Sequence, residues 1–69
     1  MKIPKYIDNL LKQRAYHADK VLSVSYKLDA WLIKNEIDVA MEDYGSGVEV
    51  YEAPYESADA VREAILRKE

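Results

Sequence analysis

One periodicity constrains this chain more than any other feature. From Lys5 to Asn35 there is no glycine and no proline, and residues 7, 11, 14, 18, 21, 25, 28 and 32 recur at alternating steps of four and three. Such steps return to the same side of an α-helix. Ile7, Leu11, Ala18, Val21, Leu28 and Leu32 make that side apolar, with Ile3 and Leu10 beside it; Ser25 is small and Arg14 is charged. Pro4 stands in the first turn, where a helix does not need its missing N–H. Asp8 and Lys12 add a favourable i,i+4 pair on the outside. The weak stretch is Val21 to Tyr26, where β-branched and serine residues lower helix propensity. The spacing predicts one amphipathic helix over residues 4–35, with a bend at Ser23–Ser25 as the rival reading.

Length sharpens the expectation. A helix of about 30 residues spans ~45 Å, whereas a compact chain of this size has a radius of gyration of only ~11 Å. The apolar stripe overhangs anything the other half could cover, so it calls for a partner, the simplest being a second copy. The 69 residues point the same way. A single core at this size supplies about 3–5 kcal/mol, and such domains usually add a disulfide, a metal or an oligomeric contact. There is no cysteine and one histidine, His17, which removes disulfides, thiol catalysis and zinc-thiolate sites. The expectation is a homodimer through the long helix, with Ile7, Leu11, Arg14, Val21, Leu28 and Leu32 at the contact. A helical hairpin within one chain is the alternative.

At Glu36 the period changes. Ile37, Val39 and Met41 alternate with Asp38, Ala40 and Glu42, and Val48 and Val50 alternate with Glu49 and Tyr51. Gly45 and Gly47 lie between, free to take positive φ. This reads as a β-hairpin over residues 37–52. Its rival is a short helix over Val39–Tyr44, capped by Asp38, ended by Gly45 and followed by one strand. Ser57 is a candidate N-cap for a last helix over residues 58–68, with Ala58, Val61, Ala64 and Ile65 as its narrow apolar face. The predicted fold class is α+β: a long N-terminal amphipathic helix, a central β-hairpin and a short C-terminal helix, all in one small domain over residues 1–69.

The net charge of −3 hides an asymmetry. Residues 1–35 carry seven basic and three acidic side chains, residues 36–69 three basic and ten acidic. Halves of opposite sign attract each other or a second copy, while the molecule as a whole is repelled by phosphate. The N-terminus is too polar for a signal peptide, and no run of about 18 apolar residues exists to cross a membrane. A cytoplasmic setting is the expectation.

The segments MKIPKYIDNLLKQR, LDAWLIKNEID and YEAPYESADAVREAI resemble a group of small uncharacterised proteins of clostridial-type bacteria and their mobile elements. Those proteins open with a similar IPKYIDxLL stretch and close with a similar ExP…SA…AI stretch. The resemblance covers most of the chain through framework residues. It implies accessory genes of phage or conjugative elements, and neither an activity nor site residues.

Arg14 is the first candidate site. Its neighbours one turn away are Leu10, Leu11, His17 and Ala18, so its own helix offers no acid, and a buried guanidinium without a partner costs several kcal/mol. Three readings stand: an ion pair with Glu42, Asp43 or Glu49 of the acidic half or a second copy; a snorkelling surface residue; or, with His17, a clasp for an anionic ligand. Tyr44, Tyr51 and Tyr55 cluster around the predicted turn as candidate partner contacts, tyrosine being apolar along its ring and polar at its tip. They can equally roof the core. Lys5, Lys12, Lys20, Lys27 and Lys34 share a stripe opposite the apolar face, the one feature suited to a phosphate backbone. With no arginine among them and no reading module, a solvated face accounts for it as well. DYGSGVE lacks the alternating oxygen ligands of a calcium loop, and no catalytic, metal or cofactor motif is present. The sequence is read as a non-enzymatic protein–protein interaction or accessory module that self-associates and meets an unknown partner. Sequence-independent nucleic-acid binding and acidic inhibition of a host enzyme are the alternatives.

Overall fold

The apolar seam does form helix, but it folds back on itself. The computed structural model describes residues 1–17, 21–45 and 47–68. Helix α1 spans Lys5–Tyr16 and α2 spans Val21–Lys34. A 3₁₀ turn follows at Met41–Asp43, then the one-and-a-half-turn α3 at Val48–Glu52 and α4 at Pro54–Arg67. No strand occurs among the described residues, so the fold is all-helical and the α+β expectation is overturned.

The single helix over 4–35 is replaced by a helical hairpin. Helix α1 ends at His17, whose N–H still bonds to Gln13 O at 2.9 Å, and among the described residues α2 starts at Val21. Seam position Ala18 lies outside the described residues. The stretch Val21–Tyr26, expected to be the weak point, is helical throughout. Tertiary packing overrides its propensity: Val21, Val24 and Ser25 are all buried against the rest of the chain. The molecule measures 32 × 21 × 17 Å with a radius of gyration of 10.5 Å. That is too short for a helix of ~45 Å and right for helices of 12 and 14 residues.

Helix α1 is the centre of the bundle, packing on α2 on one side and α4 on the other. Arg14 near its C-terminal end meets Ser57 in the first turns of α4, and Asp8 near its start meets Arg62 further along. The amino group of Met1 donates to the carbonyls of Leu66 and Lys68 at the end of α4. Thus α1 runs antiparallel to both neighbours. The core is Ile7, Leu11, Val24, Leu28, Leu32, Ile37, Ala58, Val61, Ala64 and Ile65, roofed by Ile3, Leu10, Trp31 and Val39. Alanines 58 and 64 keep α4 close to α1, as its narrow face suggested.

Helix α2 ends in a Schellman arrangement. Ile37 N–H bonds to Leu32 O at 3.0 Å and Glu36 N–H to Ile33 O at 3.1 Å, with Glu36 in the left-handed region at φ 54°. Ile37 then drops into the core, which fixes the direction of the chain into the 3₁₀ turn.

The predicted hairpin fails because its alternation is not the true period. In a sheet Val48 and Val50 share a face; here Val50 is buried and Val48 exposed, while Met41 stands 81% exposed. The rival reading fares better only over the turn: there is a short 3₁₀ helix and Gly45 has φ 47°, but helix α3 follows, not a strand. Gly47 starts α3 because nothing larger fits: a Cβ there falls 2.6 Å from Met41 O and closer still to Glu42 O.

The last helix also begins earlier than predicted. Pro54 occupies its first position and Ala53 precedes it, so Ser57 is not an N-cap but lies inside the first turns, fully buried. Its hydroxyl is used by Arg14.

Candidate functional site

Every seam residue expected at a dimer contact is consumed within the chain. Ile7, Leu11, Val21, Leu28 and Leu32 are buried between α1, α2 and α4. Arg14 is buried with them, only 2% exposed. Its Nη1 donates to Asp43 O at 3.1 Å and its Nη2 to Ser57 Oγ at 2.8 Å. The partners therefore come from the second half of the same chain, and they are a carbonyl and a hydroxyl. Among the described residues no carboxylate of Glu42, Asp43 or Glu49 stands at ion-pair distance from the guanidinium.

Charge nevertheless surrounds it. Burial holds the Arg14 guanidinium below its ordinary pKa, and the fields of Asp29 and Asp43 pull it back up. Asp29, one helical turn after Ser25 on α2, is pushed above the usual carboxylate range by burial, against a hydrogen bond from the Gly45 amide and the field of Arg14. Tyr44 beside it is raised by burial and by the negative charges of Asp29 and Asp38. Arg14 Nε, Ser25 Oγ and Asp29 Oδ1 are buried without hydrogen-bond partners among the described residues. The group locks three elements together: the end of α1, the 3₁₀ turn and the start of α4. Hydrogen bonds of this kind, in a low dielectric, fix a packing arrangement more than they add stability.

The tyrosines separate into two sets. Tyr44 is half-buried in the cluster just described, whereas Tyr51 and Tyr55 are exposed on α3 and α4. Tyr16 from the end of α1 joins them: its ring meets that of Tyr55 edge-on, with centroids 5.2 Å apart. The sequence did not single out Tyr16, because one long helix carries it far from residue 55. In sequence, Glu49, Glu52 and Glu56 lie close to Tyr51 and Tyr55, while Lys12 and His17 lie close to Tyr16.

The lysine stripe is divided. Lys5 and Lys12 are exposed on α1, Lys27 and Lys34 on α2, two helices of opposite direction, and Lys20 lies outside the described residues. Lys12 is bonded to Asp8 at 3.2 Å, the i,i+4 pair read from the sequence. His17 is exposed at the end of α1. An open depression of about 290 Å³ between the ends of α2 and α4 mixes Glu36 and Asp38 with Arg67 and Lys68. Among the described residues no group of three or more His, Asp or Glu could hold a metal ion, and no helix is long and apolar enough to cross a membrane.

One surface was not foreseen. Leu22, Tyr26, Ala30 and Ile33 recur at steps of four, four and three along the outer side of α2, and all are exposed. The long-helix reading drew attention to the other side of this segment, although the spacing was legible. Comparison of the chain with protein-family models, with curated proteins and with solved structures found no match.

Proposed function

We propose that this chain is a non-enzymatic protein–protein interaction module that offers an acidic, tyrosine-bearing end to a basic surface of another protein. The observation that carries the reading is the exposed Tyr16–Tyr55 pair at 5.2 Å, built from two helices and left outside the core. Tyrosine rings give contact area with little loss of side-chain freedom and attract cations to their faces. Glu49, Glu52 and Glu56, close in sequence to Tyr51 and Tyr55, favour lysine and arginine on the partner. Inhibition of a host enzyme through its basic site is a special case of the same surface. A cysteine-free chain needs no oxidising compartment, so the cytoplasm is part of the proposal.

The test uses an arginine- and lysine-rich peptide titrated against the whole protein at low and high salt. Expected is saturable binding that weakens with salt and falls at least tenfold in Tyr55→Ala and in Glu52→Lys/Glu56→Lys. Equal affinity in the variants removes this surface from the reading. A mixed-sequence DNA duplex titrated under the same low-salt conditions should not bind; binding abolished by Lys12→Glu or Lys27→Glu would move the function to nucleic acid.

A further inference from the structure

Glu36 breaks two local rules at once. It holds the left-handed position of the α2 Schellman cap at φ 54°, where glycine sits without strain. It also sets a carboxylate at the C-terminal end of a helix, where the dipole favours cations. Arg67 and Lys68, at the corresponding end of α4, obey that second rule. Two local costs at one exposed residue point to a use for its side chain.

That side chain lines the open depression of about 290 Å³ between the ends of α2 and α4. Asp38 is the second carboxylate of the lining, Arg67 and Lys68 are its cations, and Ile37 and Ala64, both nearly buried, give it an apolar patch. Opposite charges share this space without pairing: among the described residues no ion pair joins either carboxylate to either cation. Lys68 is engaged elsewhere, its Nζ donating to the Glu36 carbonyl at 3.2 Å and tying the end of α4 to the cap of α2. The depression thus presents two carboxylates, the guanidinium of Arg67 and a short apolar surface.

We propose that this depression binds a small zwitterion of the α-amino-acid class. Its ammonium lies on Glu36 and Asp38, its carboxylate on the Arg67 guanidinium, and its side chain over Ile37 and Ala64. A simple cation meets the repulsion of Arg67, and a simple anion meets that of two carboxylates; a zwitterion satisfies both walls. The guanidinium fork suits a carboxylate in particular. Small-molecule sites run upward from about 300 Å³, so the volume fits a ligand of amino-acid size and excludes a nucleotide. The depression is open, so water competes for every charge, and dissociation falls in the range of about 1 mM. Tyr55 stands near the other end of α4, about 18 Å along the helix, so this site and the tyrosine end stand or fall separately.

The test is titration of the whole chain with L-leucine to about 20 mM, well above that dissociation constant, followed by two-dimensional amide NMR. Expected are saturable shifts of the Ile37, Ala64 and Arg67 amides. Isoamylamine and isocaproate, which carry only the ammonium or only the carboxylate on a similar skeleton, bind at least tenfold more weakly. Arg67→Gln removes the preference for leucine over isoamylamine. Glu36→Gln weakens leucine binding severalfold. Glu36→Gly does the same while raising the urea midpoint, because glycine relieves the left-handed backbone. Absence of saturable shifts overturns the proposal. So does isoamylamine binding as tightly as leucine, or a Glu36→Gly chain that binds leucine like wild type.

Discussion

Helix α1 carries a charged residue toward each end, and both reach α4. Asp8 meets Arg62 Nε at 2.8 Å, half-exposed, with Lys12 at 3.2 Å on its other oxygen and Asp59 on the same arginine at 2.9 Å. Arg14 meets Ser57 Oγ at the same 2.8 Å, but inside the core and without a carboxylate at contact distance. The wet end has every charge paired and water as a competitor, so each partner can be lost cheaply. The dry end has one charge held by neutral acceptors, so its loss strands a buried hydroxyl and a buried carbonyl. Similar geometry therefore carries very different consequences at the two ends.

The largest effect should follow from Arg14→Ala. It opens a cavity, orphans Ser57 Oγ and Asp43 O, and should lower stability by about 3 kcal/mol, most of what a core this small supplies. Urea denaturation followed by circular dichroism measures it; a midpoint equal to wild type would erase the contrast between the ends. Arg14→Met together with Ser57→Ala keeps the volume and removes most of the stranded polar group, and should recover the greater part of the loss. The single Arg14→Met should fall between them.

Gly47→Ala attacks the dry end from beneath. Its Cβ meets Met41 O at 2.6 Å, so the backbone that delivers Asp43 O to Arg14 must shift, at a cost of about 2 kcal/mol. Because both changes act on one network, Gly47→Ala and Arg14→Ala should combine to less than the sum of their separate effects. Strict additivity in thermal or urea melts would show the turn and the arginine to be independent.

These two residues also show why part of the fold was legible in the sequence and part was not. The 4–3 spacing picked out Ile7, Leu11, Val21, Leu28 and Leu32 as one apolar seam, read as a contact with a second copy, and the structure buries them within the chain. The spacing could not say whether the seam was one helix or two, since a residue facing a second copy and one facing its own chain have the same period. The sequence between the two helices contains neither glycine nor proline to separate them. Three-residue alternation such as Val48–Glu49–Val50 is too short to separate a strand from a helical turn. Gly45 and Gly47 did signal special backbone, but not which kind. The oddity of Arg14 was visible at once; Ser57 was not seen as its partner, because a serine soon after a proline reads more simply as a cap. Tyr16 and Tyr55 meet only because the hairpin closes.

At the wet end, Asp8→Asn should cost less than about 1 kcal/mol at neutral pH, exposed pairs being screened. The hydrogen bond from Arg62 leads in holding the Asp8 carboxyl below its usual range, against partial burial and with help from Lys12. A depressed folded-state pKa means that the contribution is complete above the ordinary aspartate range and disappears as pH falls through the lowered value. The wild type and Asp8→Asn should converge in acid, and also in high salt. A difference that survives both would place this pair in the same class as Arg14.

The smallest effect carries the opposite sign. Asp29 lies by the dry end, and burial raises its pKa despite the Gly45 amide and the field of Arg14. Its neutral form is favoured by folding, so the stability it contributes is present below the ordinary aspartate range and is lost as pH rises through the raised value. Asp29→Asn keeps an acceptor for the Gly45 amide and removes that loss. The variant should be slightly more stable than wild type at neutral pH, and the advantage should close as pH falls toward about 4, the ordinary aspartate value. Urea midpoints of the two proteins between pH 3 and 8 decide it. If Asp29→Asn is instead the less stable at neutral pH, Arg14 needs that charge, and the dry end is held as an ion pair across a gap, by the same physics as Asp8 and Arg62.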